Sequence, residues 1–251
     1  PELLFYAVDE PGVEHAEQIN NLTGVMRRVP GVRTVTAGVR GGLLAQYYDV
    51  LMPHDPVPKD MVEESRKTSS EPWVYNCNMN GANPVWNRYY AGYYAWTEQL
   101  KGNFLWCYTE SGSRMTDTGE ITLAVPHYGN PIAFDWVIPS SRGPIATLGW
   151  EARREGVDDY RYLQTLREAI ADAQSSKDPD KIRLARTAQR FLREAEKTLK
   201  APDYRGKGML NPTSNAPLKY EEPFSLNLHP GLELGDYDRI RREAADWILL
   251  L

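Results

Sequence analysis

Two adjacent carboxylates, Asp9 and Glu10, stand directly after the apolar run from Leu3 to Val8 and directly before Pro11 and Gly12. An apolar run bounded by Pro and Gly reads as a buried strand, so the pair sits where a strand ends and the chain turns. Neighbouring carboxyl groups in different surroundings can divide labour, one holding a substrate while the other passes a proton. The same residues suit a plainer task as well, because an acidic residue ahead of a helix beginning near Val13 can cap it. Which role applies depends on the elements around the pair.

Those elements alternate. Leu3 to Val8 is followed by a predicted helix from about Val13 to Arg28, ended by Pro30 and Gly31, and then by the β-branched strand Val32 to Ala37. A third strand, Tyr48 to Met52, stops at Pro53-His54-Asp55-Pro56, and a polar helix spans Lys59 to Lys67. Pro72 to Cys77 reads as a fourth strand, Asn87 to Leu100 as a helix with Tyr89, Tyr93 and Trp96 at helical spacing, and Phe104 to Tyr108 as a fifth strand. This rhythm implies βαβ units on a parallel sheet, whose C-terminal strand ends would gather any reactive groups. Residues 110 to 146 read as a long loop that could cover a site. Three helices follow, at Trp150 to Gln174, Lys181 to Lys200 and Tyr237 to Leu251, the first placing Val157, Tyr160, Leu163, Leu166 and Ile170 on one face. The division expected is a catalytic domain over 1–174 and a helical extension over 175–251.

Composition narrows the chemistry. With 41% hydrophobic and 25% charged residues among 251, the chain reads as globular. A net charge of −5 and the lack of a basic stretch interleaved with aromatics argue against nucleic acid, and no apolar run reaches the roughly 20 residues that span a bilayer. Cys77 and Cys107 are too few for a disulfide scaffold, and whether they are bonded is left open. No His, Asp or Glu cluster has metal spacing and no Gly-rich phosphate loop occurs, so no cofactor is expected. The sequence starts at Pro1 and enters a strand at once, which reads as a processed product or a piece of a longer chain. Its compartment is not legible, although secretion or export to a periplasm is compatible with it.

The order of motifs carries a resemblance. Val8-Asp9-Glu10-Pro11, then Trp73-Val74-Tyr75-Asn76-Cys77, then Arg88 to Trp96, then Gly102-Asn103-Phe104-Leu105-Trp106, together with the block from Trp150 to Leu163, resembles the catalytic domain of glycoside hydrolase family 123 and its uncharacterised relatives. Known members include β-N-acetylgalactosaminidases. The resemblance covers nearly the whole chain, and its most specific piece, Trp150 to Leu163, reads as a structural helix. It implies an α/β fold, with the strands here being strands four to eight of a (β/α)8 TIM-type barrel carrying extra C-terminal helices. The first three strands would come from upstream residues or another chain, since five parallel strands cannot close a barrel.

An ordinary retaining glycosidase uses two carboxyl groups about 5 to 5.5 Å apart. Here the strand end where a nucleophile would be expected reads Asn76-Cys77-Asn78-Met79-Asn80, without a carboxylate, and the next acid is Glu110. Adjacent Asp9 and Glu10 therefore suit substrate assistance, in which the 2-acetamido oxygen of the sugar attacks the anomeric carbon. Asp9 would orient the amide N–H, and Glu10 would protonate the leaving oxygen and then activate water; the resemblance assigns the pair the same roles. The expected activity is retaining cleavage of a terminal β-linked N-acetylhexosamine, GalNAc favoured, through an oxazolinium intermediate. Other strand ends offer His54, Asp55, Tyr75, Asn76, Trp106 and Tyr108 as sugar contacts, each of which could equally be a turn or packing residue. Arg88, Arg154, Glu151 and Glu155 suit structural ion pairs. The rival reading is a non-catalytic carbohydrate-binding or structural barrel fragment; a glycosidase of other sugar specificity is a third.

Overall fold

A computed structural model describes residues 3–38, 42–53, 57, 59–76, 84–105, 114–115, 121–122, 136–138, 142–201 and 230–251. The chain forms two compact units, one from Pro1–Asn78 with Gln99–Trp106 and the other from Met79–Glu98 with Cys107–Leu251. The boundary expected at residue 174 falls inside the second unit.

The first unit is α/β. Strands β1 (Leu3–Tyr6), β2 (Val32–Ala37), β3 (Val50–Met52), β4 (Glu71–Asn76) and β5 (Gly102–Leu105) lie in the order β1-β2-β3-β4-β5, all parallel, in a sheet curled like part of a barrel. One face of the sheet is covered by helices α1 (Ala16–Met26) and α2 (Lys59–Thr68) and by a 3-10 segment, Gly42–Tyr47. Ile19, Leu44, Ala45, Tyr48, Leu51 and Met61 form the core there, and a side chain as fully buried as Ile19 stabilises by about 1.5–3 kcal/mol. On the other face Val35, Ala37, Val50 and Met52 pack with Leu4, Trp73 and Tyr75.

The first strand departs from expectation. Its apolar sequence predicts burial, yet Leu3, Phe5 and Tyr6 are all more than 40% exposed. The reason is position: β1 is an edge strand, so among the described residues only β2 pairs with it.

The second unit is mostly helical. Helix α3 (Pro84–Tyr89) passes through a π-helical turn, Tyr90–Tyr94, into the short α4 (Ala95–Thr97) and packs on the long α5 (Leu148–Gln174). Helices α6 (Pro179–Leu199) and α7 (Leu234–Leu250) pack on α5 as well. Tyr89, Tyr90, Tyr93, Tyr94 and Trp96 are buried, so the aromatic residues at helical spacing belong to the core. Their hydroxyls do structural work: Tyr89 donates to Leu199 O (2.9 Å) and Tyr93 to Tyr237 O (3.0 Å).

The sequence block from Trp150 to Leu163 proves to be the hub of this unit. Gly156 sits against α3 and the π turn so closely that a Cβ there would meet Arg88 O, and one on Gly92 would meet Gly156 O. One turn on, buried Asp159 accepts two hydrogen bonds from buried Arg88, at 2.7 and 3.0 Å. Arg88 also reaches Asp238 (2.7 Å), and Arg241 reaches Glu155 (2.6 Å), so the charges bind α7 to both other helices. This corrects the face read from hydropathy: Val157 is exposed, and Gly156 with Asp159 takes the inward positions. A charged residue goes inside here because its partner goes with it. The ion-pair roles expected for Arg88, Arg154, Glu151 and Glu155 are observed, with Arg154 bonded to Glu151 (2.9 Å) and Glu155 (2.6 Å).

The stretch from 110 to 146 also departs from a plain loop. Its described residues include two antiparallel pairs, β6 (Arg114–Met115) with β7 (Ile121–Thr122) and β8 (Val137–Ile138) with β9 (Ile145–Ala146). Two-residue strands are too short to show an alternating pattern.

Candidate functional site

Asp9 and Glu10 lie past the C-terminal end of β1, and neighbouring backbone bonds fix where. Ala7 N–H donates to Val35 O (3.2 Å), and Glu10 N–H donates to Ala37 O (3.2 Å), so the chain stays tied to β2 up to the pair. Thr36 Oγ1 donates to Val8 O at 2.7 Å, satisfying the peptide between those ties. Glu10 itself has φ of 42°, in the left-handed region that favours glycine. A non-glycine residue there costs about 1–2 kcal/mol and persists only where the surroundings hold it. The turn ends in the buried Pro11 and Gly12, and a short 3-10 turn, Val13–His15, leads into α1. Neither acid caps that helix, whose flanking residues Gly12 and His15 make no side-chain cap bond.

The Tyr6 hydroxyl donates to Asp9 Oδ1 at 2.6 Å. Partial desolvation of the hydroxyl, followed by the bond to the Asp9 carboxylate and its charge, pushes the Tyr6 phenol above its ordinary value although the residue is half exposed, so it stays a donor at any working pH. With Oδ1 occupied, Oδ2 is the atom of Asp9 left to meet a ligand donor. Sequence reasoning missed Tyr6. The usable signal was its place two residues after Leu4 on one strand, which puts both on the same face.

The sheet register carries that face across. Tyr6 pairs with Val35, Val35 with Val50, Ala37 with Met52, and Tyr75 with Phe104, and paired residues of parallel strands point the same way. Tyr6, Tyr75 and Phe104 therefore share the face opposite the helices. Tyr75 and Phe104 have ring centroids 5.9 Å apart, and Phe104 is 47% exposed. Phe104, like Tyr6, escaped the sequence reading, which placed the candidate contacts of this strand at Trp106 and Tyr108. Ala37, between the aromatic positions, is itself buried, and lower down the Trp73 ring occupies the space that a Cβ on Gly102 would take.

The sites expected from sequence divide accordingly. Asp9, Glu10 and Tyr75 are all at the C-terminal half of one parallel sheet, and Asn76 is the last residue of β4. His54, Asp55, Trp106 and Tyr108 lie outside the described residues. Asp9 and Glu10 are exposed. Among the described residues no group of three or more His, Cys, Asp or Glu could hold a metal ion, and no helix is long and apolar enough to cross a membrane.

Chemically the arrangement offers one carboxylate restrained by a phenol, a second at a strained turn beside it, and aromatic rings on the adjoining face. Rings suit the C–H surfaces of sugars, and paired acids suit holding and protonating. No family model matches the sequence, and no curated protein matches it.

Proposed function

We propose that the chain is the acid-bearing part of a retaining glycosidase that cleaves a terminal β-linked N-acetylhexosamine, GalNAc favoured, with assistance from the substrate. The observation that carries this is the Asp9–Glu10 pair tethered at the C-terminal edge of a parallel sheet, with Tyr6 on Asp9 and φ of 42° at Glu10. Asp9 Oδ2 accepts the acetamido N–H, turning the carbonyl oxygen toward the anomeric carbon. That oxygen forms the new C–O bond as the glycosidic bond breaks, and Glu10 gives its proton to the leaving oxygen. Glu10 then removes a proton from water as it opens the oxazolinium ring. The five strands correspond, on this reading, to the last five of an eight-stranded β/α barrel, and the exposed side chains of β1 and β5 mark the edges that further strands would meet.

A second reading is favoured by one observation, the exposure of both carboxylates: a carbohydrate-binding barrel fragment without catalysis. Aryl β-N-acetylhexosaminides separate the two. Hydrolysis of these but not of the matching 2-hydroxy glycosides, with inhibition by a thiazoline mimic of the cyclic intermediate, supports the enzyme. Equal hydrolysis of both glycosides, with thiazoline inert, rejects substrate assistance, and binding without turnover supports the second reading.

A further inference from the structure

Helix α6 carries a feature that the reading above does not use. Arg183, Arg186, Arg190, Arg193 and Lys197 recur every three or four residues, and all five are exposed. At 3.6 residues per turn they fall within about 80° of the helix circumference and extend along about 21 Å of it. The opposite face is small and apolar, with Ala185, Ala188, Leu192, Ala195 and Leu199 buried. In a chain with a net charge of −5, this row concentrates positive charge on one line.

The row is also little neutralised. Arg183 pairs with Asp180 at 3.0 Å, but among the described residues Arg186, Arg190, Arg193 and Lys197 form no ion pair. Glu194 borders the row, yet Arg190 Nη2 turns instead to Thr187 Oγ1 at 3.4 Å. The four arginines line a shallow groove with Thr187 and Gln189, closed on one side by Gln174 from the end of α5, whose amide donates to Gln189 Oε1 at 3.5 Å. The groove thus offers planar guanidinium forks matched to sulfate or carboxylate oxygens, alternating with amide and hydroxyl groups matched to hydroxyls.

We infer that this groove binds a linear acidic polysaccharide through its sulfate or carboxylate groups. Three other partners fit less well. A membrane surface would require an apolar face to insert, and that of α6 is already packed on α5. Single-stranded nucleic acid would require aromatic platforms, and the row contains none. A protein partner would require an apolar centre to the contact, which a row of arginines and amides does not supply. The inference stands whether or not Asp9 and Glu10 hydrolyse anything.

The test uses the full chain, with a heparin oligosaccharide as probe, in titration calorimetry from 50 to 300 mM NaCl. Binding should weaken linearly on a log–log plot of affinity against salt, as release of counterions by several cations requires. The triple variant R186Q/R190Q/R193Q should lose tenfold or more in affinity while keeping its helical circular dichroism and melting temperature. R242Q, which removes an exposed arginine from α7, should bind like the parent. No binding at 50 mM NaCl would overturn the inference, as would equal binding by the parent and the triple variant. An oligonucleotide of equal charge bound as tightly as the oligosaccharide would overturn it too.

Discussion

Asp49 and Asp9 flank the same parallel sheet at opposite edges, and they are used in opposite ways. Asp49 precedes β3 at the N-terminal edge, where its Oδ2 accepts from Thr34 N–H (2.7 Å) and Thr34 Oγ1 (2.8 Å) and its Oδ1 from Arg27 (3.2 Å). Its own carbonyl takes the Glu71 N–H at 2.8 Å, so one residue joins β2, β3, β4 and the end of α1. Asp9, at the C-terminal edge, accepts from the phenol three residues before it, and its neighbour Glu10 is held at φ of 42°. One edge spends its carboxylate on tying strands together. The other keeps carboxylates facing solvent on a strained turn, at the edge where α/β barrels carry their chemistry.

The sharpest way to break this contrast is to change one acid at each edge. Glu10→Gln should slow hydrolysis of an aryl β-N-acetylhexosaminide by about 10² to 10⁴ with KM nearly unchanged, while the unfolding free energy from urea denaturation stays within about 0.5 kcal/mol of the parent. A large loss of stability instead would place Glu10 with Asp49 as a structural acid. Asp49→Asn should do the reverse: the amide turns an N–H₂ toward donors that the carboxylate satisfied, at a cost of about 1–3 kcal/mol, with activity per folded molecule retained. Chemical denaturation read alongside turnover distinguishes the two outcomes.

Acid should expose the same difference. Burial works to raise the Asp49 carboxyl, but the Thr34 amide and hydroxyl and the Arg27 guanidinium outweigh it and hold the group below its ordinary value. A carboxyl depressed in the folded state contributes stability that is fully present above its unfolded value, near 4, and is lost as pH falls through the folded one. The stability gap between the parent and Asp49→Asn should therefore be constant from about pH 5 to 7 and narrow below about pH 4. A gap that does not change down to pH 2.5 would show that Asp49 acts without its charge.

The smallest expected effect has the opposite sign. Glu10→Gly removes the left-handed strain at a cost in unfolded-chain entropy, for a net stability gain of about 0.5–1 kcal/mol. If the variant is less stable than the parent, Glu10 has packing or bonding that the strain argument ignores.

Much of this scaffold was legible in the residues. The β-branched run from Val32 to Ala37 became β2 with the same limits, and the 3.6-residue pattern located α5, α6 and α7. Their starts came earlier than hydropathy placed them because the caps are polar: Thr147 accepts from Trp150 N–H, and Asp178 precedes Pro179 at the head of α6. The location of Asp9 and Glu10 at a strand end was legible for the same reason that the strand was. What could not be read is the Tyr6–Asp9 bond, which depends on how the chain leaves the strand after Tyr6, or the φ of 42° at Glu10, which glutamate rarely adopts. Nor could hydropathy assign Asp159 inward, because its partner Arg88 lies 71 positions away in sequence.

The way the chain is shared between its two units bears on how it can be made and divided. The backbone leaves the first unit after Asn78, contributes residues 79–98 to the second, returns for 99–106, and leaves again. A nascent chain therefore cannot finish the first unit before it has begun the second. β5, the last strand of the sheet, is synthesised after α3, and α3 must then wait some sixty residues for α5, the helix it packs on. Partly formed surfaces of both units coexist during that interval, when an emerging chain is most prone to misassembly. Any cut between residues 79 and 106 divides both units, so neither one can be expressed as an uninterrupted stretch of the sequence.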